Sequence, residues 1–223
     1  MPMILKNISI ASPLRILVQI ERLTIANGEV LGVLGPSGSG KSSLLSYCAG
    51  VLDPKFSASG EIWIGKDDET RIRLDKQSPQ ERKLGLMFQD DLLFPNMSVG
   101  ENLLFGMQGH EPRATRLHRV REMLKKADLE GYVDRRPTSL SGGQRSRVSL
   151  LRTLLSNPRA LLLDEPFAKL DPLLRLEFRA FVFQCVRDQE LPCLLVTHEM
   201  TDLPAESKRI TVGLLSDSKD ILR

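Results

Sequence analysis

Gly35–Ser42 reads GPSGSGKS, which matches G-x-x-x-x-G-K-[ST]. Phosphate oxygens need many amide donors and close backbone approach, and glycine permits both. Gly35, Pro36, Ser37, Gly38, Ser39, Gly40, Lys41, Ser42 and Ser43 are therefore candidate ligands of nucleotide phosphates. Lys41 would reach the β- and γ-phosphates, and the Ser42 hydroxyl would ligate Mg²⁺. A helix opening at this loop would add its positive N-terminal end. The bland alternative, a glycine-rich turn, is disfavoured by an apolar strand before the motif and a helical pattern after it.

Two further clusters carry chemistry. Ala160–Glu165 reads ALLLDE, an apolar strand that delivers two carboxylates at its end. Asp164 is a candidate Mg²⁺ ligand, directly or through water, and Glu165 a candidate to polarise an attacking water. Taken alone, the segment reads equally well as a strand followed by an acidic helix cap. Leu140–Gln144 reads LSGGQ, where Ser141 and the amides of Gly142 and Gly143 head a helix and offer a second phosphate-binding surface. The plain alternative is a serine cap beside a flexible glycine pair.

The elements that must position these residues follow from periodicity. Ile4, Ile8 and Ile10, then Ile16, Val18 and Ile20, sit at two-residue spacings and predict strands, and Asn27–Gly28 marks a turn. Val30–Leu34 is a short buried strand that feeds the glycine-rich loop, and a helix is expected from about Gly40 to Ala49. Glu61–Ile64 and Arg71–Leu74 alternate weakly, as a hairpin or edge sheet would, and Leu84–Phe88 is another apolar strand. From Val99 to Leu155 the pattern is mostly helical, with Leu117, Val120, Leu124 and Ala127 on one face and Val148, Leu151, Leu154 and Leu155 on another. Asn157–Pro158 ends that stretch. Strand–helix alternation then resumes through Ala160–Leu163, the face of Leu174, Phe178, Phe181, Val182 and Cys185, and Cys193–Val196. The pattern is a parallel α/β core interrupted by a helical insertion.

Composition narrows the class. The 223 residues are 41% hydrophobic and 26% charged, as in an ordinary soluble domain. A net charge of +3, from 31 basic against 28 acidic residues, is too balanced for a dedicated nucleic-acid binder. Cys48, Cys185 and Cys193 form no CxxC pair, which argues against a disulfide framework or zinc site and for a reducing compartment. MPMILKNISI lacks a basic stretch followed by a long apolar one, so no signal peptide is expected. Apolar runs such as Ala160–Leu163 fall far short of the ~20 residues that span a bilayer. Any membrane role would pass through a partner.

LSGGQ, followed by RSRVSLLRTLLSNPRALLLDEP without a break, resembles the signature of ABC ATPases, and the resemblance covers nearly the whole chain up to His198. It implies further assignments. Gln89, in LMFQDDLLFP, resembles the lid glutamine that senses Mg²⁺ and the γ-phosphate. Asp171, in AKLD, falls in the loop that crosses to a partner subunit, although Lys169 replaces a small residue common there. His198, in LLVTHEM, resembles the switch histidine that holds the γ-phosphate, whereas His110 and His118 read as surface residues. In the family an early aromatic residue usually stacks on adenine. Here none precedes Tyr47, which leaves Pro13 and Leu14 to offer apolar contact and predicts weak discrimination between ATP and GTP.

The implied fold is an α/β P-loop NTPase (RecA-like) core with an N-terminal antiparallel β subdomain and an inserted α-helical subdomain. Residues 1–89 and 158–223 would form the core and β subdomain, and residues 90–157 the helical subdomain with the signature. No extra regulatory domain of the kind carried by some importer ATPases is expected after Arg209–Leu215. The implied function is that of an ATP-hydrolysing subunit of an ABC transporter, with ATP and Mg²⁺ as cofactors. DPLLRLEFR and ENLLFG are in the style of importers for small solutes. Implied partners are a second copy arranged head to tail, membrane permease subunits and a solute-binding protein, at the cytoplasmic face of the membrane. Leu140, Ser141, Gly142, Gly143 and Gln144 would then contact the ATP of the other copy. Asp90–Pro95 and Val99–Phe105 are candidate permease contacts, or else core of the insertion. The competing class is a non-transport ABC ATPase of DNA maintenance or translation. The short stretch between Gln89 and Leu140, without heptads, and the single cassette speak against it.

Overall fold

The computed structural model describes residues 1–66, 71–107, 109 and 111–213. His110 and the end of the expected core lie outside the described residues. Two sheets organise the chain. β1 (Met3–Ala11), β2 (Ile16–Ile25), β4 (Ser57–Ile64) and β5 (Ile72–Arg73) pair antiparallel in the order β2-β1-β4-β5. β3 (Val30–Leu34), β6 (Leu84–Met87), β7 (Ala160–Asp164), β8 (Cys193–Val196) and β9 (Arg209–Thr211) form an all-parallel sheet in the order β6-β7-β8-β3-β9. The α/β fold with an antiparallel subdomain is thus the one observed.

The two sheets differ as their sequences require. β1 buries Ile8 and Ile10 but exposes Asn7, the alternation of a sheet wet on one face. β7 is apolar without alternation because both its faces are covered. Ala160 and Leu162 join the cluster that fuses the two sheets with helix α1 (Lys41–Ala49) through Leu44, Leu45 and Cys48. Leu161 and Leu163 instead meet Phe178 and Val182 of helix α6 (Pro172–Asp188), with Phe167 beside them. β4 begins at Ser57, four residues before the Glu61 that alternation picks out. Its first residues are exposed and polar or small, and backbone pairing with Ser9–Ala11 of β1 makes them strand.

A short helix α2 (Pro79–Arg82) precedes β6. Helices α3 (Val99–Gly106), α4 (Arg113–Lys126) and α5 (Gly142–Leu155) enclose a separate apolar cluster that includes Val99, Leu103, Val120, Leu124, Val148, Leu151 and Leu155. Asn157, at a φ of 53°, and Pro158 follow the end of α5. Among the described residues no helix is long and apolar enough to cross a membrane.

Candidate active site

All strands of the second sheet run parallel, so their C-terminal ends share one edge, where ligands of open α/β sheets gather. β3 ends in the Gly35–Gly40 loop, β7 in Asp164 and Glu165, and β8 in Thr197 and His198. β6 places Met87 opposite Leu163, so Gln89 leaves the sheet beside the β7 carboxylates.

The loop is built to approach an anion closely. Gly40 caps α1 at a φ of 97°, and a Cβ there would lie 2.8 Å from Leu17 Cβ. Gly38 has a φ of 75° at the exposed loop tip, with nothing within 4 Å of a Cβ. Lys41 is buried, and its ammonium donates to the carbonyl oxygens of Gly35 at 2.7 Å and Pro36 at 2.9 Å. Ser39 Oγ is buried without a hydrogen-bond partner among the described residues, a polar atom left for a ligand to satisfy. Pro36, Ser37 and Ser43 complete the loop and the first turn of α1.

The exposed Ser42 hydroxyl donates to Asp164 Oδ1 at 3.0 Å. Burial pushes the Asp164 carboxyl up, opposed by the Ser42 hydrogen bond, reinforced by the Glu165 charge and opposed again by Lys41. A divalent cation would relieve that cost. Hard oxygen donors on Ser42 and Asp164 suit Mg²⁺, which typically takes one or two protein ligands and completes its shell with phosphate and water.

Glu165 has a φ of 46°, and its amide donates to Val196 O at 3.0 Å. Its Oε2 lies 3.4 Å from His198 Nδ1, so adjacent strands bring the two candidate catalytic side chains together. Gln89 is exposed, and Asp90 after it pairs with Lys169 of the loop before Asp171. The Lys169 that departs from the family pattern therefore joins that loop to the lid. Asp171 caps α6, accepting from the amides of Leu173 and Leu174 at 3.2 and 3.1 Å.

Leu140–Gln144 is not brought to the phosphate loop. Ser141 caps α5 in a reciprocal box, its Oγ accepting from Gln144 N at 3.3 Å and its own N–H donating to Gln144 Oε1 at 3.0 Å. The serine-cap alternative is thus true of the local structure. α5 packs on α3, α4, α6 and β6, whereas α1 packs on β6, β7 and β8. A Cβ on Gly142 would lie 3.9 Å from Arg145 Nη2, and one on Gly143 3.4 Å from Leu174 Cδ1.

Leu14, the residue expected to offer apolar contact to the base, lies at the tip of the β1–β2 hairpin. Ser12 Oγ accepts from the amides of Leu14 and Arg15, and this turn leaves Leu14 94% exposed. The cleft beside the loop, of ≈ 300 Å³, is lined by Arg15, Ile16, Leu17, Ser39 and Gly213. Arg15 Nη2 donates to Gly38 O at 3.4 Å. Nothing in the local sequence distinguishes Arg15 from other hairpin arginines, because its neighbour lies across the chain.

Residues 18–168 match the family model described as ABC transporter. The chain is 41% identical over 218 residues to an uncharacterized ABC transporter ATP-binding protein, YnjD, of Escherichia coli, covering 98% of each. It is 37% identical over 191 residues to the thiamine import ATP-binding protein ThiQ of Haemophilus influenzae, covering 85% of each. With an Fe(3+) ions import ATP-binding protein of the same organism it shares 38% over 214 residues, 94% of this chain and 62% of that one. Among solved structures it resembles a dimeric ATP-binding cassette in a post-hydrolysis state bound to ADP and Pi. The TM-score is 0.71, with 29% identity over 90% of this chain and 89% of that one.

Proposed function

Because the chain belongs to the family of ABC transporter ATP-binding subunits and is an ATPase of that kind, we propose that it energises an importer of a small solute. It works as a head-to-tail pair bound to membrane permease subunits at the cytoplasmic face, with a solute-binding protein delivering the cargo. Relatives named for thiamine and Fe(3+) import support this reading. In the proposed division of the chain, 1–89 and 158–223 form the nucleotide-binding core, and 90–157 the helical subdomain.

The carrying observation is the convergence of Lys41, Ser42, Asp164, Glu165 and His198 on one sheet edge. Amides of Gly35–Ser43 and the Lys41 ammonium hold the phosphates. Ser42 and Asp164, with Gln89, hold Mg²⁺, which neutralises charge on the phosphates. Glu165 orients water for in-line attack, and His198 holds the γ-phosphate. Since Leu140–Gln144 heads a helix apart from α1, its Gly142 and Gly143 amides serve the ATP of the other copy, and Asp171 lies at the crossing between copies.

Turnover by purified protein tests this. Glu165→Gln should still bind ATP, accumulate dimers and lose roughly 10²–10⁴-fold in turnover. Ser141→Arg should keep ATP binding at its own loop and lose hydrolysis, and mixing it with Lys41→Ala should leave at most one competent site per pair. Near-normal activity in Glu165→Gln, or full-rate hydrolysis by monomers at high dilution, would sink the proposal.

A further inference from the structure

The segment that carries His198 is strapped to the helix that follows Asp171. Arg175 lies one turn into α6, and its amide donates to Asp171 O at 2.8 Å. Its guanidinium forks onto Asp202, with Nε to Oδ1 and Nη2 to Oδ2 both at 2.7 Å. The third arm, Nη1, donates to Glu199 Oε1 at 2.9 Å. Asp202 is buried and also accepts from Thr197 Oγ1 at 2.6 Å, while Thr197 Oγ1 accepts from Glu199 N at 3.1 Å. Residues 197–202 are thereby closed on themselves around Asp202 and pinned to α6 by the three arms of Arg175, with Arg179 of the same helix donating to Thr201 O beside them. A planar fork suits this, since each arm has a fixed direction. The Asp202 hydrogen bonds lead in holding the Arg175 guanidinium firmly protonated, against a smaller cost of burial.

The pinned carboxylate matters to the histidine. Glu199 Oε1, held by Arg175, lies 3.6 Å from His198 Nε2, while His198 Nδ1 faces Glu165. His198 itself is half exposed and takes its place from the backbone on either side. Without Arg175, Asp202 would be a buried carboxylate lacking its cation, and Glu199, held then by the Thr201 hydroxyl at 3.4 Å, would be able to draw the imidazole away from Glu165.

We propose that Arg175 is a positioning residue for hydrolysis, which sets His198 against Glu165 and ties that setting to the Asp171 loop. The proposal rests on the reading of Glu165 and His198 as the hydrolytic pair. Its partners, Glu199 and Asp202, act with it.

The test measures equilibrium binding of a fluorescent ATP analogue with Mg²⁺, kcat and Tm for each variant. Arg175→Met should bind ATP within about twofold of the parent while kcat falls roughly ten- to hundredfold, the effect of a misplaced group rather than a lost ligand. Arg175→Lys keeps a cation but cannot fork onto two carboxylates, so it should recover kcat only in part. The double variant Arg175→Met with Asp202→Asn removes the uncompensated buried charge. Its Tm should recover while kcat stays low. Two results would overturn the proposal: kcat within about twofold of the parent in Arg175→Met, or kcat recovering together with Tm in the double variant. Should Arg175→Met fail to fold, full kcat in Arg175→Lys or in the double variant overturns it equally. Glu165→Gln and His198→Ala run alongside. Full turnover in those two would instead break the reading of the hydrolytic pair.

Discussion

Glu165 occupies a left-handed backbone conformation, a strain of order 1–3 kcal/mol for a residue with a Cβ. The hydrogen bond its backbone N–H donates to Val196 O keeps it there, and the turn aims its carboxylate at His198. In the proposed site, residues of the β1–β2 hairpin would meet the rest of the nucleotide. Leu14 projects from the hairpin tip, whereas Arg15 reaches Gly38 and lines the cleft beside the loop. We expect Leu14→Tyr to leave ATP affinity within about twofold, since its side chain stands in water. Arg15→Ala should weaken ATP binding about ten- to hundredfold, by loss of a group able to stack on the base and of its tie to the loop. Competition between ATP and GTP is the measurement. Tighter ATP binding by Leu14→Tyr would refute this placement of the base.

At the scale of elements, the helix behind the phosphate loop is closed by Gly50, whose amide donates to Ser46 O and Tyr47 O, and by one side chain from a distant segment. Arg82 is the last residue of α2, is buried, and donates from Nη1 to the carbonyl oxygens of Tyr47 at 2.7 Å and Cys48 at 2.8 Å. Those carbonyls belong to the last turn of α1, where Tyr47 O also accepts from the Gly50 amide at 3.1 Å, and Arg82 satisfies them from outside the helix. The same guanidinium bonds Gln77 O and Asp75 O, so it locks the approach to β6 onto α1. Charge-assisted bonds of this kind contribute about 1.5–3 kcal/mol. Arg82→Met should therefore cost roughly 2–4 kcal/mol of unfolding free energy in denaturant titration, and a loss below about 0.5 kcal/mol would show that water caps α1 as well. Local sequence offers no sign of this role, because the acceptors are backbone atoms of a distant segment.

For the whole molecule, the two readings of the lid segment divide residue by residue. Val99 and Leu103 are wholly buried in the helical cluster, whereas Leu92 is 56% and Phe105 64% exposed. Phe94 packs edge-on against Phe105 with ring centroids 4.8 Å apart. Hydrogen bonds brace this platform. Asn102 exchanges hydrogen bonds with the Phe94 backbone, Arg152 donates to Leu92 O at 2.8 Å, and Ser146 and Ser149 hold Asp91. An exposed apolar patch on a fixed frame next to Gln89 is where a permease segment would dock in the proposed assembly. Phe105→Asp should keep Tm within a few degrees, as surface changes do, yet reduce co-sedimentation with permease-containing membranes about tenfold. Unchanged co-sedimentation would place the docking surface elsewhere.

Chemistry confined to a few consecutive residues was legible without coordinates. GPSGSGKS, LSGGQ and ALLLDE each state their residue types and spacing in one run, and the strand-to-loop-to-helix order around the first is written in local apolar periodicity. The parallel core followed from β7, whose unbroken apolar run requires cover on both faces. Contacts between distant segments left no such trace. The fork of Arg175 on Asp202, the cap of Arg82 on α1, the bond of Arg15 to Gly38 and the strand character of Ser57–Ser59 all depend on partners brought close by sheet order. Periodicity records which face of an element is apolar. Which buried charge meets which carbonyl or carboxylate is decided only when the elements pack, because the free energy of such a contact comes from removing both partners from water together.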